Sequence, residues 1–352
     1  MESKLGAAIL GATGTVGQRL IALLEGHPWF EVASLAASDR SAGKRFADAC
    51  TWLLPTPMPA RIADMRVEPL APELAGDFAL SSLPGDIARQ TEQAFAAAGY
   101  PVVTNSSAFR MDPDVLILIP EVNHSHLESI AQQRAKRWSG FIVTNPNCSA
   151  AALTVALAPI YQAFGLRRVL VSTMQAVSGA GYPGVPSLAI LDNIVPHIDG
   201  ESPKVESEPA KMLGRWGRED GFSFAPIAIS AMVHRVPTID GHMEAISLET
   251  ERAASPADVR RVLEEFVPPA ELAGLPSLPA KTFHCFDDPA RPQTRLDRDL
   301  GNGMTVSVGP ISICPVLGIK FRILGHNTMR GAAGAALLNA ELLRRQGLLK
   351  RQ

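Results

Sequence analysis

The chain is poor in aromatic surface, in net charge and in cysteine. Aromatic side chains make up 6% of its 352 residues, sparse for a protein that stacks on nucleobases. Lys and Arg number 33 against 35 Asp and Glu, a formal charge of -2. No global basic field therefore draws the chain to nucleic acid or anionic lipid, although a locally basic pocket is compatible with it. Its four cysteines, Cys50, Cys148, Cys285 and Cys314, are scattered with no CxxC pair, which argues against a disulfide framework and a zinc knuckle and suits reduced thiols in the cytosol. Long apolar runs are missing too. Only Lys4 precedes the first run, too little for a signal peptide, and the stretch from Ala150 to Phe164 is interrupted by Pro159 and falls short of a membrane span. What remains, 46% hydrophobic and 19% charged residues, reads as a globular cytoplasmic protein with chain enough for two domains.

Leu5 to Leu10 is a short apolar run closed by glycine, the pattern of a buried parallel strand, and Gly17 to Glu25 carries leucines at helical spacing. Runs at Glu31 to Ala36, Phe78 to Leu83, Pro101 to Asn105 and Phe141 to Thr144 follow, separated by segments such as the helical Asp86 to Ala98, and Ser149 to Phe164 reads as a helix. This alternation predicts an α/β fold with a Rossmann-type doubly wound parallel sheet. From Arg168 the pattern changes. Val169 to Ala176, Ala225 to Val233, Glu244 to Thr250 and Thr305 to Pro310 look like longer strands with few helices between them, which predicts a second, α+β domain on a mixed sheet. Pro268 to Pro292 reads as a long loop. Asn327 or Thr328 is placed to cap a last helix, on which Gly331, Ala335, Leu338 and Leu342 share a face. The expected division is 1–147 plus 327–352 for a dinucleotide-binding domain and 148–326 for the second domain.

Gly11-Ala-Thr-Gly-Thr-Val-Gly17 spaces its glycines GxxGxxG between a strand and a helix. Glycine lets the backbone approach a pyrophosphate, which then rests on the unpaired N–H groups and positive end of the helix. At the end of the second strand, Asp39 suits a ribose diol, whereas Arg40 flanked by Ser38 and Ser41 suits a 2′-phosphate; the guanidinium and two hydroxyls favour the phosphate. Cys148 sits in Thr144-Asn-Pro-Asn-Cys-Ser149 at a helix start, where the macrodipole favours a thiolate. The other three cysteines read as small buried hydrophobes. Of eight histidines, His242 after Gly241 is the one best suited to shuttle a proton, although spacing alone does not bring it to Cys148. His124 and His126 lack further ligands, so no metal site is expected.

Taken together, GATGTVGQ (Gly11 to Gln18), SDRSAGK (Ser38 to Lys44), NSSAFR (Asn105 to Arg110), PEVN (Pro120 to Asn123), PNCS (Pro146 to Ser149) and QAVSGAG (Gln175 to Gly181) closely resemble the aspartate-semialdehyde dehydrogenase family. The segments Asp192 to Gly214 and His234 to Glu249 look like its archaeal and fungal branch, and Asn327 to Leu343 extends the likeness almost to the end of the chain. The resemblance implies NADPH-dependent conversion of 4-phospho-L-aspartate to L-aspartate 4-semialdehyde with release of phosphate, on the way to lysine, methionine and threonine. It implies Cys148 as nucleophile, His242 as acid-base residue and Gln175 orienting the acyl group. Arg235, seven residues before His242, resembles the group that grips the substrate carboxylate. Glu208 and Lys211, at ExxK spacing, resemble the pair that meets substrate amine and phosphate, with Arg110 and Asn147 completing the phosphate site; Lys204 and Glu206 compete for those roles. The cofactor contacts it implies are Gly11, Thr13, Gly14, Thr15, Val16, Gly17, Ser38, Arg40, Ser41, Ser82, Ser178, Gly179 and Asn327. It also implies a homodimer or homotetramer built through a catalytic and dimerisation domain.

Two rival readings stand beside this one. Archaeal malonyl-CoA reductases resemble the same branch and share the cysteine, histidine and cofactor loop, but a CoA substrate has no need of Arg110 and Lys211. A cofactor-sensing regulator without catalysis would not retain Cys148, Gln175, Arg235 and His242 together.

Overall fold

The computed structural model describes residues 3–351. The chain forms two compact units: residues up to Leu118, Ser125–Asn145 and Ala336 onward make the first, and Ile119–His124 with Pro146–Ala335 make the second.

In the first unit six short strands, β1 (Leu5–Leu10), β2 (Phe30–Ala36), β3 (Val67–Glu68), β4 (Phe78–Ser81), β5 (Pro101–Thr104) and β6 (Phe141–Thr144), lie in the order β3-β2-β1-β4-β5-β6. Every pairing is parallel. The residues of β4, β5 and β6 are buried throughout, which is why these strands are continuous apolar runs rather than alternating ones. Strand order reverses beside β1, the arrangement of a doubly wound dinucleotide fold. The helix Thr15–Leu24 follows β1 through the glycine turn. Gly17 has to be glycine there, because a Cβ would lie 2.3 Å from Gly11 O.

In the second unit the strands are β7 (Arg168–Gln175), the hairpin β8 (Arg215–Gly217) and β9 (Gly221–Ser223), then β10 (Ala228–Arg235), β11 (His242–Glu249), β12 (Phe283–Cys285), β13 (Val306–Val308), β14 (Ser312–Cys314) and β15 (Gly318–Gly325). β8 and β9 pair only with each other, and the others form a mixed sheet in the order β10-β7-β11-β15-β13-β12, with β14 paired to β15. Burial alternates strictly along β11, so His242, Glu244, Ile246 and Leu248 share one buried face. The helix Cys148–Phe164 packs on this sheet. Ala152 sits where a Cβ on Gly325 would lie, 2.6 Å away, so glycine sets the approach. The opposite sheet face leaves Leu170, Met232 and Ile313 exposed.

Three expectations are corrected. The second unit contains two helices the pattern did not suggest, Ser202–Met212 and Pro256–Glu264, the latter opened by a capping box between Ser255 and Asp258. The last helix starts at Ala333, beyond Gly331, and not directly after Asn327 or Thr328. Asn327 is no helix cap because its amide is committed elsewhere: Nδ2 donates to Ser178 Oγ at 2.8 Å and Oδ1 accepts from Gly241 N–H at 2.9 Å. The loop from Pro268 to Pro292 carries a strand, β12. Arg330 forms a buried ion pair with Glu121 at 2.7 Å, both residues of the second unit.

Candidate active site

Cys148 is the first residue of the helix Cys148–Phe164, and Asn147 caps it, its Oδ1 accepting from Ser149 N–H at 3.0 Å and Ala150 N–H at 3.1 Å. The Cys148 side chain faces His242. Sγ and Nε2 are 3.2 Å apart, although 94 residues separate the two in sequence. The other ring nitrogen settles the tautomer: Ala176 N–H donates to Nδ1 at 3.0 Å, so the neutral ring carries its proton on Nε2, directed at the sulfur. Burial, and then the neighbouring charges of Arg235 and His326, press the His242 pKa down to about 3, so the imidazole is neutral at physiological pH.

Strand register assembles the rest. Gln175 ends β7 and Arg235 ends β10, and the two are direct partners in a parallel pair. Gln175 Nε2 donates to Thr173 Oγ1 at 3.3 Å, and Arg235 Nη1 donates to Ala176 O at 2.8 Å. Burial lowers the Arg235 pKa against the opposing influence of Cys148 and Glu201. Gly179, in the turn Val177–Ala180, passes so close that a Cβ would lie 2.7 Å from Arg235 Nη1 and 3.2 Å from His242 Cε1. Gly179 thus lies over the histidine, and Asn327 ties that turn to Gly241 through Ser178 Oγ. Gly331 allows similarly close packing on Cys148, whose Cβ would stand 2.7 Å from an added methyl.

Asn147 is gripped by two carboxylates. Its N–H donates to Glu208 Oε2 at 2.5 Å and its Nδ2 to Glu201 Oε1 at 2.7 Å. Lys204 Nζ lies 3.4 Å from the other Glu201 oxygen, its side chain 35% exposed. Glu208 and Lys211 are buried, and the Lys211 ammonium stands over the Phe222 ring at 4.7 Å. Glu206 points to β10, accepting from Ala231 N–H at 2.9 Å. Glu201 is the residue that sequence reasoning passed over. It precedes a proline-bearing segment that hides the helix, and Glu201 to Lys204 is itself an ExxK spacing. Arg110 belongs to the first unit, where Nε donates to Asn145 O at 2.8 Å and Nη2 to Asn105 O at 2.7 Å.

The glycine turn in the first unit fits a diphosphate. Gly14 caps the helix Thr15–Leu24 with no side-chain bond, and the first turn, Thr15-Val16-Gly17, contains no acid. Gly11 takes a φ of +82° and packs on Ser82, whose N–H donates to Leu10 O at 2.9 Å. Thr13 O accepts from Gln18 Nε2 at 3.0 Å, which fixes the turn from behind. Ser38, Asp39 and Arg40 are exposed at the end of β2, in a turn closed by Ser41 N–H to Ser38 O at 2.8 Å. These residues fit NADP, with Arg40 accessible for the 2′-phosphate. Among the described residues no cluster of His, Cys, Asp and Glu is arranged to hold a metal ion, and no helix is long and apolar enough to cross a membrane.

A dinucleotide-type sheet joined in one chain to a cysteine–histidine pair defines the class: a dehydrogenase that works through a thiol-bound acyl group. Family models for the semialdehyde dehydrogenase NAD-binding domain and dimerisation domain match residues 6–130 and 157–330. The chain belongs to the aspartate-semialdehyde dehydrogenase family: it is 48% identical to the Archaeoglobus fulgidus enzyme over 97% of this chain and 98% of that one, and 45% identical to the Schizosaccharomyces pombe enzyme over 97% and 98%. Among solved structures, that of the Candida albicans enzyme with NADP matches at a TM-score of 0.90 and 41% identity, over 98% of this chain and 100% of that one. The Vibrio cholerae enzyme II complexed with ASA matches at 0.73 and 29%, over 98% and 99%.

Proposed function

We propose that this chain catalyses the NADPH-dependent reductive dephosphorylation of 4-phospho-L-aspartate to L-aspartate 4-semialdehyde, in the biosynthesis of lysine, methionine and threonine. The observation that carries the reading is the 3.2 Å approach of Cys148 Sγ to His242 Nε2 in a chain of this family. The Cys148 thiolate, met by the Nε2–H donor, attacks the acyl phosphate, and phosphate leaves as a thioester forms on sulfur. NADPH, held on the Gly11–Gly17 turn with Arg40 at its 2′-phosphate, would supply the hydride for this thioester. His242 holds its proton against the oxygen of the resulting thiohemiacetal, steadying the negative charge until the C–S bond breaks and the aldehyde is released. Gln175 orients the acyl oxygen, and Arg235 grips the substrate carboxylate through its planar fork.

For the amine and phosphate, Glu208 and Lys211 carry this reading, Glu208 being held on the Asn147 N–H beside the nucleophile, with Glu201 and Lys204, on the Asn147 side chain, as the competing pair. Arg110 contributes the phosphate contact of the first unit. A homodimer formed through the open sheet face around Leu170, Met232 and Ile313, in the cytoplasm, is part of this reading; light scattering on the purified protein tests the stoichiometry. The activity is tested by NADP reduction with L-aspartate semialdehyde plus phosphate against malonate semialdehyde plus CoA. Turnover confined to the second pair would overturn it in favour of a malonyl-CoA reductase.

A further inference from the structure

The first unit holds a buried carboxyl that this chemistry does not use. Glu92, on the helix Gly85–Ala97, has no exposed surface. Its Oε1 accepts from Ser81 Oγ at 2.6 Å and from Thr104 Oγ1 at 2.5 Å, the last residues of β4 and β5. Thr104 Oγ1 accepts in turn from Ser106 N–H at 2.9 Å. Asn105, between them, donates its backbone N–H at 2.9 Å and its Nδ2 at 3.2 Å to Ser81 O. Its carbonyl receives Arg110 Nη2 at 2.7 Å. The loop that carries Arg110 is therefore fastened to two strand ends whose hydroxyls close on one carboxyl.

We propose that Glu92 is a positioning residue for the phosphate contact: it holds the Asn105–Arg110 loop and, by gaining or losing charge, tunes the grip of Arg110 on phosphate across neutral pH. The inference rests on the reading of Arg110 as a phosphate ligand. Burial raises the Glu92 carboxyl to about 7, against the opposing pull of Ser81, Thr104 and the Arg110 charge. The strands facing it, Phe78–Ser81, Pro101–Thr104 and Phe141–Thr144, carry no charged side chain, so Arg110 is the charge that Glu92 addresses. Both hydroxyls donate to Oε1, which leaves the acid proton on Oε2. Below neutrality the carboxyl is uncharged and Arg110 acts on phosphate undiminished. Above it, the carboxylate competes for the same guanidinium.

The test is the KM for inorganic phosphate, at saturating semialdehyde and NADP, for wild type and Glu92→Gln across pH. Dividing one by the other cancels the ionisation of phosphate itself. The wild-type to variant ratio is expected to be near one at about pH 6 and to reach roughly threefold at about pH 8.5, the size of a screened charge effect. A role confined to structure gives a ratio independent of pH, which would overturn the inference. Ser81→Ala supplies the second readout: loss of a donor that favours the carboxylate should move the midpoint of the wild-type profile upward, and an unmoved midpoint counts against Glu92. An Arg110→Lys control separates the two failures, because an unchanged phosphate KM there sinks the reading of Arg110 itself.

Discussion

The helices Thr15–Leu24 and Cys148–Phe164 each follow a parallel strand through a short turn, yet their N-termini are finished in opposite ways. Gly14 caps the first without a side chain. Asn147 caps the second with Oδ1 on two N–H groups, and its own amide is fixed by Glu201 and Glu208. An uncommitted terminus suits an anion that arrives from solution and leaves again. A committed one suits a nucleophile that belongs to the chain and must not wander, and the donor aimed at the Cys148 sulfur is then the His242 Nε2–H rather than the helix end alone. The difference between the termini is therefore the difference between binding a cofactor and holding a reacting atom.

The largest effect should come from breaking the committed side. Cys148→Ser is expected to lower kcat on the order of 10⁴-fold or more, with NADPH affinity unchanged, because a hydroxyl facing a neutral imidazole that already carries its proton on Nε2 has no base. Alkylation followed by peptide mapping should find Cys148 labelled before Cys50 and Cys285, whose thiols burial pushes up to about 11. Labelling of those two first, with activity retained, would remove Cys148 from the mechanism.

Next in size is His242. His242→Asn should lower kcat by ~10²–10⁴-fold with little change in KM, whereas Arg235→Lys should chiefly raise the KM for the semialdehyde, since lysine keeps the charge but loses the fork. A ring pressed down to about 3 is neutral above that point, so the kcat profile should show no acid limb near 6.5 from this residue. Stability follows the same shift. The folded pKa lies below the unfolded one, so the contribution is present above 6.5 and is lost as pH falls from there towards 3. Thermal melts of His242→Asn should accordingly lose less stability over that window than wild type.

Smaller still is the selection among cofactors on the uncommitted side. The glycine turn addresses a diphosphate common to NAD and NADP, and Arg40 addresses the 2′-phosphate. Arg40→Ala should remove ~1.5–3 kcal/mol of charge-assisted bonding, roughly ten- to hundredfold in NADP affinity, and leave NAD binding unaltered. Equal binding of NAD and NADP by wild type would give the selection to Asp39.

The two termini also differ in how far the chain announces them. The strands of the first sheet are continuous apolar runs ended by turn residues, and β1 and β6 lie where the pattern indicates, at Leu5–Leu10 and Phe141–Thr144. The PNCS turn likewise marks a cap and a thiol. What the pattern concealed is the support behind that cap. The helix Ser202–Met212 carries Pro203 near its start and Pro209 inside, which obscures it in the pattern, and with it the hold of Glu201 and Glu208 on Asn147. The approach of His242 to Cys148 is set by the register of β11 between β7 and β15; no local pattern encodes that contact, and only the family resemblance paired the two residues.

The smallest expected effect sharpens the comparison by giving the first terminus the cap of the second. Gly14 has φ -76° and ψ 165°, an extended conformation open to any residue. A Cβ there meets nothing nearer than Gly11 O at 3.4 Å. Gly14→Asn should therefore fold without strain, its side chain accepting from the N–H of Val16 or Gly17, and stabilise the cofactor-free protein by only a few tenths of a kcal/mol. Those N–H groups are the ones assigned to the diphosphate, so the same substitution should weaken NADP binding by several-fold. Melting temperatures without cofactor and titrations with it measure the two terms separately. A gain in stability with unchanged affinity would mean that the diphosphate does not rest on this helix end.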